Sequence, residues 1–203
     1  MAGAKTRVKI CGICDPESAL CSVEAGADAL GFVFTESKRR ITPGRARDII
    51  RLLPPFVSKV GVFVDQSLEE VSEIADYTGL DTVQLHGCES PEFCKALKLK
   101  VIKAVSVGAS VDEELLKKYE VDAYLLDTLV PGTKGGTGKT FDWTLAGGVR
   151  WRPVILAGGL TPDNVLEAIR IARPYAVDVS SGVETNGKKD FAKIKEFVRR
   201  VKG

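Results

Sequence analysis

Short apolar segments alternate with polar, helix-forming segments along the whole chain. Eight of the apolar segments are rich in Val, Ile, Leu or Phe and are short for helices, so each is predicted to be a buried strand. They cover residues 8–10, 29–34, 60–64, 82–85, 101–105, 123–126, 154–156 and 176–179. Between them, apolar residues recur at helical spacing, as at Leu68, Val71, Ile74 and Ala75. The pattern therefore predicts strands and helices in alternation.

Side-chain caps mark the points where several of the helices are predicted to begin. In four places a Ser, Thr or Asp is followed by proline, which suits the first helical position because an N–H there would have no partner. These pairs are Asp15-Pro16, Thr42-Pro43, Ser90-Pro91 and Thr161-Pro162. A fifth start is predicted at Ser67, where Glu70 three residues later completes a capping box.

Eight strand–helix units in one chain predict a (β/α)8 TIM barrel, an α/β fold whose parallel strands close on themselves. A doubly wound open sheet is the alternative, but it needs fewer units and usually has a glycine fingerprint after its first strand. The turn there is Cys11-Gly12-Ile13-Cys14, which lacks that fingerprint. The chain has 203 residues and no break in composition, so we expect one domain over residues 1–203, a small barrel with short loops.

Composition and charge exclude several classes of protein. The chain is 44% hydrophobic with a formal net charge of +2, which gives no electrostatic reason to expect nucleic acid or membrane binding. No apolar run approaches the roughly 20 residues of a membrane helix. Residues 1–8 lack the apolar core of a signal peptide, so a cytoplasmic protein is expected. The odd number of cysteines, 5, favours reduced thiols over a disulfide framework.

Alternation along the strands predicts which polar side chains face the inside of the barrel. If Val8 and Ile10 pack on the helices, their neighbours in the strand point inward, and the same parity applies to the fourth strand. The polar residues placed inside in this way are Lys9, Cys11, Gln84 and His86. Asp127 closes the sixth strand and Asp178 lies in the eighth. Catalytic groups of such barrels lie at the carboxyl ends of the strands, so these residues are candidates for chemistry.

Three of these candidates also have an ordinary structural interpretation. Cys11 is either a small buried hydrophobic residue or a base whose pKa Lys9, on the same face, lowers by stabilising the thiolate. Asp127 is either a helix cap or loop anchor, or a chemical group. His86 is the only histidine, and it is either a hydrogen-bonded core residue or a ligand-binding group. A single histidine cannot build a metal site, so no metal is expected.

Two glycine-rich stretches follow the seventh and eighth predicted strands. They are Ala157-Gly158-Gly159-Leu160 and Ser180-Ser181-Gly182-Val183. Glycines after strands often serve only to make turns. In (β/α)8 barrels, however, the loops after these two strands frequently hold a phosphate with backbone N–H groups. Gly158, Gly159, Ser181 and Gly182 are therefore predicted to bind phosphate.

Two further motifs match known sites only in part. Residues 132–140 look like a nucleotide P-loop, but Thr133 stands where the pattern requires glycine. The segment 131–140, rich in Gly, Thr and Lys, is predicted instead to be a mobile loop after the sixth strand. Cys11 and Cys14 have the spacing of a thioredoxin-like dithiol, which leaves redox chemistry as an alternative function. They also form half of a zinc site, but no second pair of ligands with suitable spacing follows.

Longer motifs occur at most of the predicted strand ends. They include Val8-Lys9-Ile10-Cys11-Gly12, Ser37-Lys38-Arg39-Arg40-Ile41, Val83-Gln84-Leu85-His86-Gly87, Leu125-Leu126-Asp127-Thr128, Ala157-Gly158-Gly159-Leu160 and Asp178-Val179-Ser180-Ser181-Gly182-Val183-Glu184. Together, and in this order, they resemble the phosphoribosylanthranilate isomerase family over essentially the whole chain. The glycine-rich loop and Cys11 belong to the family pattern, whereas Cys14 does not.

The resemblance implies an Amadori rearrangement in tryptophan biosynthesis that needs no cofactor. An acid opens the ribose ring of N-(5-phosphoribosyl)anthranilate, and a base then removes the proton from C2′. By resemblance, Asp127 is the acid and Cys11 is the base. Arg39 would bind the anthranilate carboxylate, and His86 and Asp178 would contact the substrate elsewhere. The expected partner is a phosphorylated small molecule, and the expected assembly is a monomer or a homodimer.

Three other functions stay open on the sequence alone. A sister isomerase of the histidine pathway acts on a similar sugar amine, but its chemistry uses two aspartates, whereas the first strand here ends in Cys11. A thiol–disulfide protein would use Cys11 and Cys14. A barrel without catalytic activity would serve only as an interaction module.

Overall fold

The computed structural model describes residues 5–128 and 142–203, and eight parallel strands in it form a closed barrel. The strands are β1 (Arg7–Cys11), β2 (Ala29–Val33), β3 (Ser58–Phe63), β4 (Thr82–Leu85), β5 (Lys100–Val107), β6 (Ala123–Thr128), β7 (Val154–Leu156) and β8 (Ala176–Val179). Each strand pairs with its successor, and β8 pairs with β1, where Lys9 lies opposite Asp178. The (β/α)8 barrel predicted from the sequence is confirmed.

Helices connect consecutive strands. They are α1 (Pro16–Glu24), α2 (Pro43–Ile50), α3 (Leu68–Thr78), α4 (Pro91–Ala96), α5 (Glu113–Lys117), α6 (Val165–Ala172) and α7 (Phe191–Lys202). Between β6 and β7 the described chain contains a 3₁₀ helix, Trp143–Gly148, and the predicted loop 131–140 lies outside the described residues. In the parts of the chain that are described, no helix is both long and apolar enough to cross a membrane.

A short hairpin extends the last strand–helix connection. After β8 the chain forms a 3₁₀ turn, Ser181–Val183, followed by two antiparallel strands, β9 (Glu184–Thr185) and β10 (Lys188–Lys189). Asn186 and Gly187 join these strands, and both have positive φ, of 53° and 76°. Asn-Gly with two positive φ angles is the usual two-residue hairpin turn. This turn therefore sets Glu184 directly opposite Lys189.

Most of the predicted helix starts are confirmed. The side chains of Asp15, Thr42 and Ser90 each accept a hydrogen bond from a first-turn N–H, with proline following. The oxygen of Ser67 caps α3 in the same way, accepting from the backbone N–H of Glu70. These residues act through local contacts, which is why the sequence alone located them.

The start predicted at Thr161-Pro162 is wrong, because α6 begins at Val165. Asn164 holds the preceding residues in a turn instead. Its Oδ1 accepts from the backbone N–H of Thr161 at 2.8 Å, and its Nδ2 donates to the carbonyl of Gly159 at 2.9 Å. These two bonds fix the loop after β7, which carries two of the predicted phosphate-binding residues.

The apolar core has two layers, one on each side of the barrel wall. Outward-facing residues such as Val8, Ile10, Val83 and Leu85 pack with the helices. Inward-facing residues of alternate parity fill the barrel interior: Val60, Ile102, Ala104, Ala123, Leu125, Ile155, Ala157 and Ala176. The strand parity predicted from the sequence is therefore confirmed. Towards the carboxyl ends of the strands, the inward-facing positions become polar and border a cavity.

Candidate active site

All nine of the predicted site residues line one cavity at the carboxyl ends of the strands. The cavity has a volume of about 620 Å³, which suits a small molecule. Those residues are Cys11, Arg39, His86, Asp127, Gly158, Gly159, Asp178, Ser181 and Gly182. They come from widely separated parts of the chain, and barrel closure brings them together.

Cys11 ends β1 beside a buried ion pair. The Nζ atom of Lys9 donates to Oδ1 of Asp178 at 3.0 Å, and both side chains are buried. Gly31, on the neighbouring strand, leaves the space that the thiol occupies, since a Cβ there would lie 2.7 Å from Sγ of Cys11 and 3.1 Å from Nζ of Lys9. Cys11, Lys9 and Asp178 thus form one packed group at the β1–β8 seam.

The net shift in the pKa of Cys11 is upward, although Lys9 acts in the predicted direction. Burial raises the pKa of the Cys11 thiol, and the attraction of Lys9 offsets that effect only in part. The charge of Lys9 is shared with Asp178, which itself raises the pKa of Cys11. Burial alone would lower the pKa of Lys9, but Asp178 and Cys11 raise it, so Lys9 is a cation. At neutral pH, Cys11 is therefore a neutral thiol next to a cation.

Asp127, the residue before the last one of β6, belongs to a short polar chain. Its Oδ2 lies 3.4 Å from Nε2 of His86, and its Oδ1 accepts from the backbone N–H of Thr128 at 2.8 Å. Nδ1 of His86 lies 3.2 Å from Nε2 of Gln84, which is buried. If the Gln84 amide donates to Nδ1, the neutral imidazole carries its proton on Nε2, the nitrogen nearer to Asp127. His86 thus borders the cavity and is not enclosed in the apolar core.

The glycines of the predicted phosphate loops occupy positions where a side chain would not fit. A Cβ at Gly158, whose φ is +83°, would lie 2.6 Å from Oδ1 of Asp127. A Cβ at Gly182 would lie 1.8 Å from the carbonyl oxygen of Leu160. The loops after β7 and β8 therefore pack directly against each other. Ser181 and Gly182 begin a 3₁₀ turn, and the first N–H groups of a helical turn have no acceptor within it.

Arg39 does not have the solvated position of an ordinary loop arginine. Its Nε and Nη2 donate to the two carboxylate oxygens of Glu184 at 2.7 and 2.8 Å, in a two-pronged arrangement. Nζ of Lys189 donates to the same carboxylate at 2.8 Å. Hydrogen bonds from Arg39 and Lys189 outweigh burial and hold the pKa of Glu184 below its ordinary value.

Glu184 and Lys189 were not predicted as site residues. Glu184 is the last residue of a family-like motif, and the recognisable hairpin signal Asn186-Gly187 begins only two residues further on. Those two signals together predict that residues 184 and 189 pair across a hairpin. Nothing in the local sequence indicates that the hairpin reaches Arg39.

The cysteines do not pair with one another in the structure. All 5 cysteines are free thiols, as the odd number predicts. Sγ of Cys14 lies 3.3 Å from the carbonyl oxygen of Arg39, which directs it at the loop after β2. Among residues 5–128 and 142–203, no group of three His, Cys, Asp or Glu side chains could hold a metal ion.

Comparisons with known proteins find one family over nearly the whole chain. A sequence profile described as N-(5'phosphoribosyl)anthranilate (PRA) isomerase matches residues 8–200. The chain is 57% identical over 197 residues to N-(5'-phosphoribosyl)anthranilate isomerase of Desulforudis audaxviator, covering 96% of this chain and 97% of that one. It is 54% identical over 199 residues to the protein of the same name from Geobacter metallireducens, covering 97% and 98%.

Two solved structures are similar to this protein over nearly the whole chain. Phosphoribosyl anthranilate isomerase from Thermotoga maritima has a TM-score of 0.87 at 49% identity, covering 97% of this chain and 98% of that chain. A second structure is a phosphoribosyl anthranilate isomerase in complex with reduced 1-(o-carboxyphenylamino)-1-deoxyribulose 5-phosphate. It has a TM-score of 0.83 at 46% identity, with the same coverage of 97% and 98%.

Proposed function

The chain belongs to the N-(5'-phosphoribosyl)anthranilate isomerase family, and from this premise we propose how its own residues carry out the reaction. The activity is the isomerisation of N-(5'-phosphoribosyl)anthranilate, a step of tryptophan biosynthesis. The product is 1-(2-carboxyphenylamino)-1-deoxyribulose 5-phosphate. The conversion moves protons within one molecule, so it requires an acid and a base at defined positions.

Asp127 is the general acid in this proposal. Its carboxyl group protonates the furanose ring oxygen, the C1′–O bond breaks, and the nitrogen lone pair forms an iminium ion. Asp127 is left as a carboxylate, and a proton on Nε2 of His86, 3.4 Å from Oδ2, stabilises that charge. His86 therefore acts on the carboxylate of Asp127 from within the same cavity.

Cys11 is the general base that completes the isomerisation. Its thiolate removes the proton from C2′ of the iminium ion, and the electron pair moves to give an enolamine, which tautomerises to the ketone. The enolamine nitrogen becomes neutral in this step. Lys9 favours the thiolate, because its charge lies on the same side of the barrel.

The two ends of the substrate are anions, and each has a proposed binding region. Arg39 binds the anthranilate carboxylate, for which a planar guanidinium is well suited. The phosphate binds to backbone N–H groups of the loops after β7 and β8, at Gly158, Gly159, Ser181 and Gly182. Asp178 is placed in the cavity to accept from a ribose hydroxyl while it holds Lys9.

One observation carries this assignment: Cys11 and Asp127 line the same cavity from two strands that are not neighbours. β1 and β6 are separated by β7 and β8 on one side of the barrel. An acid and a base on separate strands can reach the ring oxygen and C2′ of one bound sugar from different sides. Residues on one loop would not have that spread.

Substitution of the two groups tests the assignment. Cys11→Ser and Asp127→Asn should each lower kcat by about 100-fold or more, the range for loss of an acid or base. Turnover is followed by the fluorescence change of the anthranilate group, with thermal unfolding as the check on folding. Cys88→Ser and Asp163→Asn are matched controls at exposed positions and should retain full activity. Near-wild-type kcat in either site variant would disprove its assigned role.

For the assembly and location, we infer a monomer or a homodimer in the cytoplasm. A related structure is described as mutually generated monomers of the dimeric enzyme from Thermotoga maritima, at 48% identity and a TM-score of 0.87. Both states therefore occur among structures of this family. Light scattering of the purified protein at micromolar concentration distinguishes them.

A further inference from the structure

Arg39 is held by a buried ion network that belongs to a different part of the chain. Glu184 accepts from Nε and Nη2 of Arg39 and from Nζ of Lys189, all within 2.8 Å. The Glu184 and Lys189 side chains are only 8% and 4% exposed. Charges so deeply buried are costly unless they are paired, so this network is a built feature of the molecule.

The surroundings of the network leave Arg39 little freedom. Gly12 lies against its aliphatic part, since a Cβ at Gly12 would be 2.4 Å from Cδ of Arg39. Lys189 also donates to the carbonyl of Ser180 at 3.0 Å, and Oγ of Ser180 donates to the carbonyl of Cys11 at 3.0 Å. The network thus connects Arg39 to the backbone beside the proposed base.

The two-pronged contact with Glu184 occupies one edge of the guanidinium group. Nε and one N–H of Nη2 point at Glu184, so the opposite edge, formed by Nη1 and the second N–H of Nη2, stays available. Among the described residues, Nη1 has no hydrogen-bond partner. Because the group is planar, fixing one edge fixes the direction of the other. Arg39 itself lines the cavity.

The ion network keeps a net positive charge that can attract the substrate's carboxylate. Arg39 and Lys189 are positive and Glu184 is negative, so the three together carry a charge of +1. Glu184 alone would neutralise Arg39 and weaken its attraction for a carboxylate. Lys189 offsets that effect while it holds Glu184 in place.

We propose that Glu184, held by Lys189, is a positioning residue that fixes Arg39 so that its free edge binds the carboxylate of the anthranilate ring. The proposal rests on the role of Arg39 in the proposed function. It makes the hairpin β9–β10 a determinant of specificity for a carboxylated aromatic amine. Glu184 acts through Arg39 and does not touch the substrate.

The opposite role for Glu184 makes the opposite prediction. Glu184 would then be an internal competitor that occupies Arg39 until the substrate displaces it. Removing a competitor strengthens the binding of the carboxylate, whereas removing a positioning residue weakens it. The direction of the change therefore decides between the two roles.

The test measures the preference for a carboxylate, not overall affinity. The two probes are reduced 1-(o-carboxyphenylamino)-1-deoxyribulose 5-phosphate and the same compound without its carboxylate. Their dissociation constants are measured by calorimetry, and the ratio of the two is the carboxylate preference. Both compounds carry the phosphate and the sugar, so disturbance of the phosphate loops by a variant cancels in the ratio.

Two variants change the position of Arg39 without changing the charge of the network. Glu184→Asp withdraws the carboxylate by one methylene group, and Glu184→Gln combined with Lys189→Met removes one charge of each sign. Each should lower the carboxylate preference roughly three- to tenfold, the effect of leaving one long side chain unfixed. Lys188→Met is the matched control on the same hairpin, because Lys188 is exposed, and it should leave the ratio unchanged.

The outcomes separate this proposal from the function on which it rests. Arg39→Ala should abolish the carboxylate preference; if the preference survives, the role of Arg39 is wrong and this proposal fails with it. If Arg39→Ala abolishes the preference but the Glu184 variants leave it unchanged or raise it, only the positioning role is disproved. Thermal unfolding establishes that each variant is folded. If the double variant does not fold, Glu184→Asp alone still tests the proposal.

Discussion

Two opposing effects act on the thiol of Cys11. Burial in the barrel removes water from the thiolate and raises its pKa, whereas Lys9 and Lys189 attract the negative charge and lower it. Burial is the larger effect, and Asp178 adds to it. Cys11, the proposed base, is therefore a thiol and not a thiolate at neutral pH.

The ionisation of the thiol should show this raised pKa directly. A thiolate absorbs in the near ultraviolet where a thiol does not, so the absorbance difference between wild type and Cys11→Ser reports the titration of Cys11 alone. We expect that difference to appear above the ordinary cysteine pKa of about 8.5. A titration at or below that value would contradict a Cys11 thiol with a raised pKa.

At the scale of whole elements, three aspartates connect pairs of strands at the amino end of the barrel. Asp28, Asp81 and Asp122 directly precede β2, β4 and β6. In each case the carboxylate accepts from a backbone N–H of the preceding strand, and the aspartate's own N–H donates to the carbonyl of that same residue. The β7–β8 pair has Tyr175 in the equivalent place, with the backbone bond only.

These aspartates serve stability, because they lie at the end of the barrel opposite the cavity. Asp122→Ala removes the acceptor 2.8 Å from the N–H of Val101, and we expect it to lower the free energy of unfolding by about 1–3 kcal/mol. kcat/KM should stay within about twofold of wild type. Urea denaturation and the turnover assay measure the two quantities.

A matched control for this variant is Glu120→Ala. Glu120 pairs with Lys95 at 3.5 Å, but both side chains are about 70% exposed, so the loss should stay below about 1 kcal/mol. If Asp122→Ala costs no more than Glu120→Ala, the aspartate does not connect the strands energetically. A large loss of activity with normal stability would place Asp122 in the catalytic machinery instead.

For the molecule as a whole, the net charge of +2 conceals how the anionic substrate is bound. Lys9 is paired with Asp178, and Lys189 shares Glu184 with Arg39, so the cations around the cavity are partly neutralised within short distances. In the proposed binding mode, the remaining attraction for anions is local, in one guanidinium edge of Arg39 and in backbone N–H groups. A long-range positive field is not expected from this arrangement.

Because the long-range electrostatic field around the cavity is weak, kcat/KM should depend only weakly on the salt concentration. Ions screen interactions beyond about 8–10 Å at physiological ionic strength, whereas contacts within a half-buried site are screened much less. We expect kcat/KM to change less than about threefold between about 20 and 300 mM KCl. Steady-state kinetics at several salt concentrations measure this, and a steep fall would reveal electrostatic steering by surface cations such as Lys38.

Much of the fold and of the site is determined by local sequence. The period of two in the strands located Lys9, Cys11, Gln84 and His86 inside the barrel, because side chains alternate about the strand whatever the tertiary context. Cap residues such as Asp15 and Ser90 located helix starts for the same reason. Thr161 was misplaced because Asn164, three residues later, offers its neighbours a competing set of hydrogen bonds.

Only the tertiary structure decided how the site residues affect one another. Arg39 and Glu184 are 145 positions apart, and no local pattern indicates that the hairpin β9–β10 fixes the arginine. The pKa of Cys11 depends on how deeply barrel closure buries it and on the division of the charge of Lys9 with Asp178. The sequence by itself determined which side chains face the cavity, because parity and capping act between neighbours. Burial and ion pairing depend on residues that are far apart in the chain. The protonation of Cys11 and the orientation of Arg39 were therefore decided by the closed barrel.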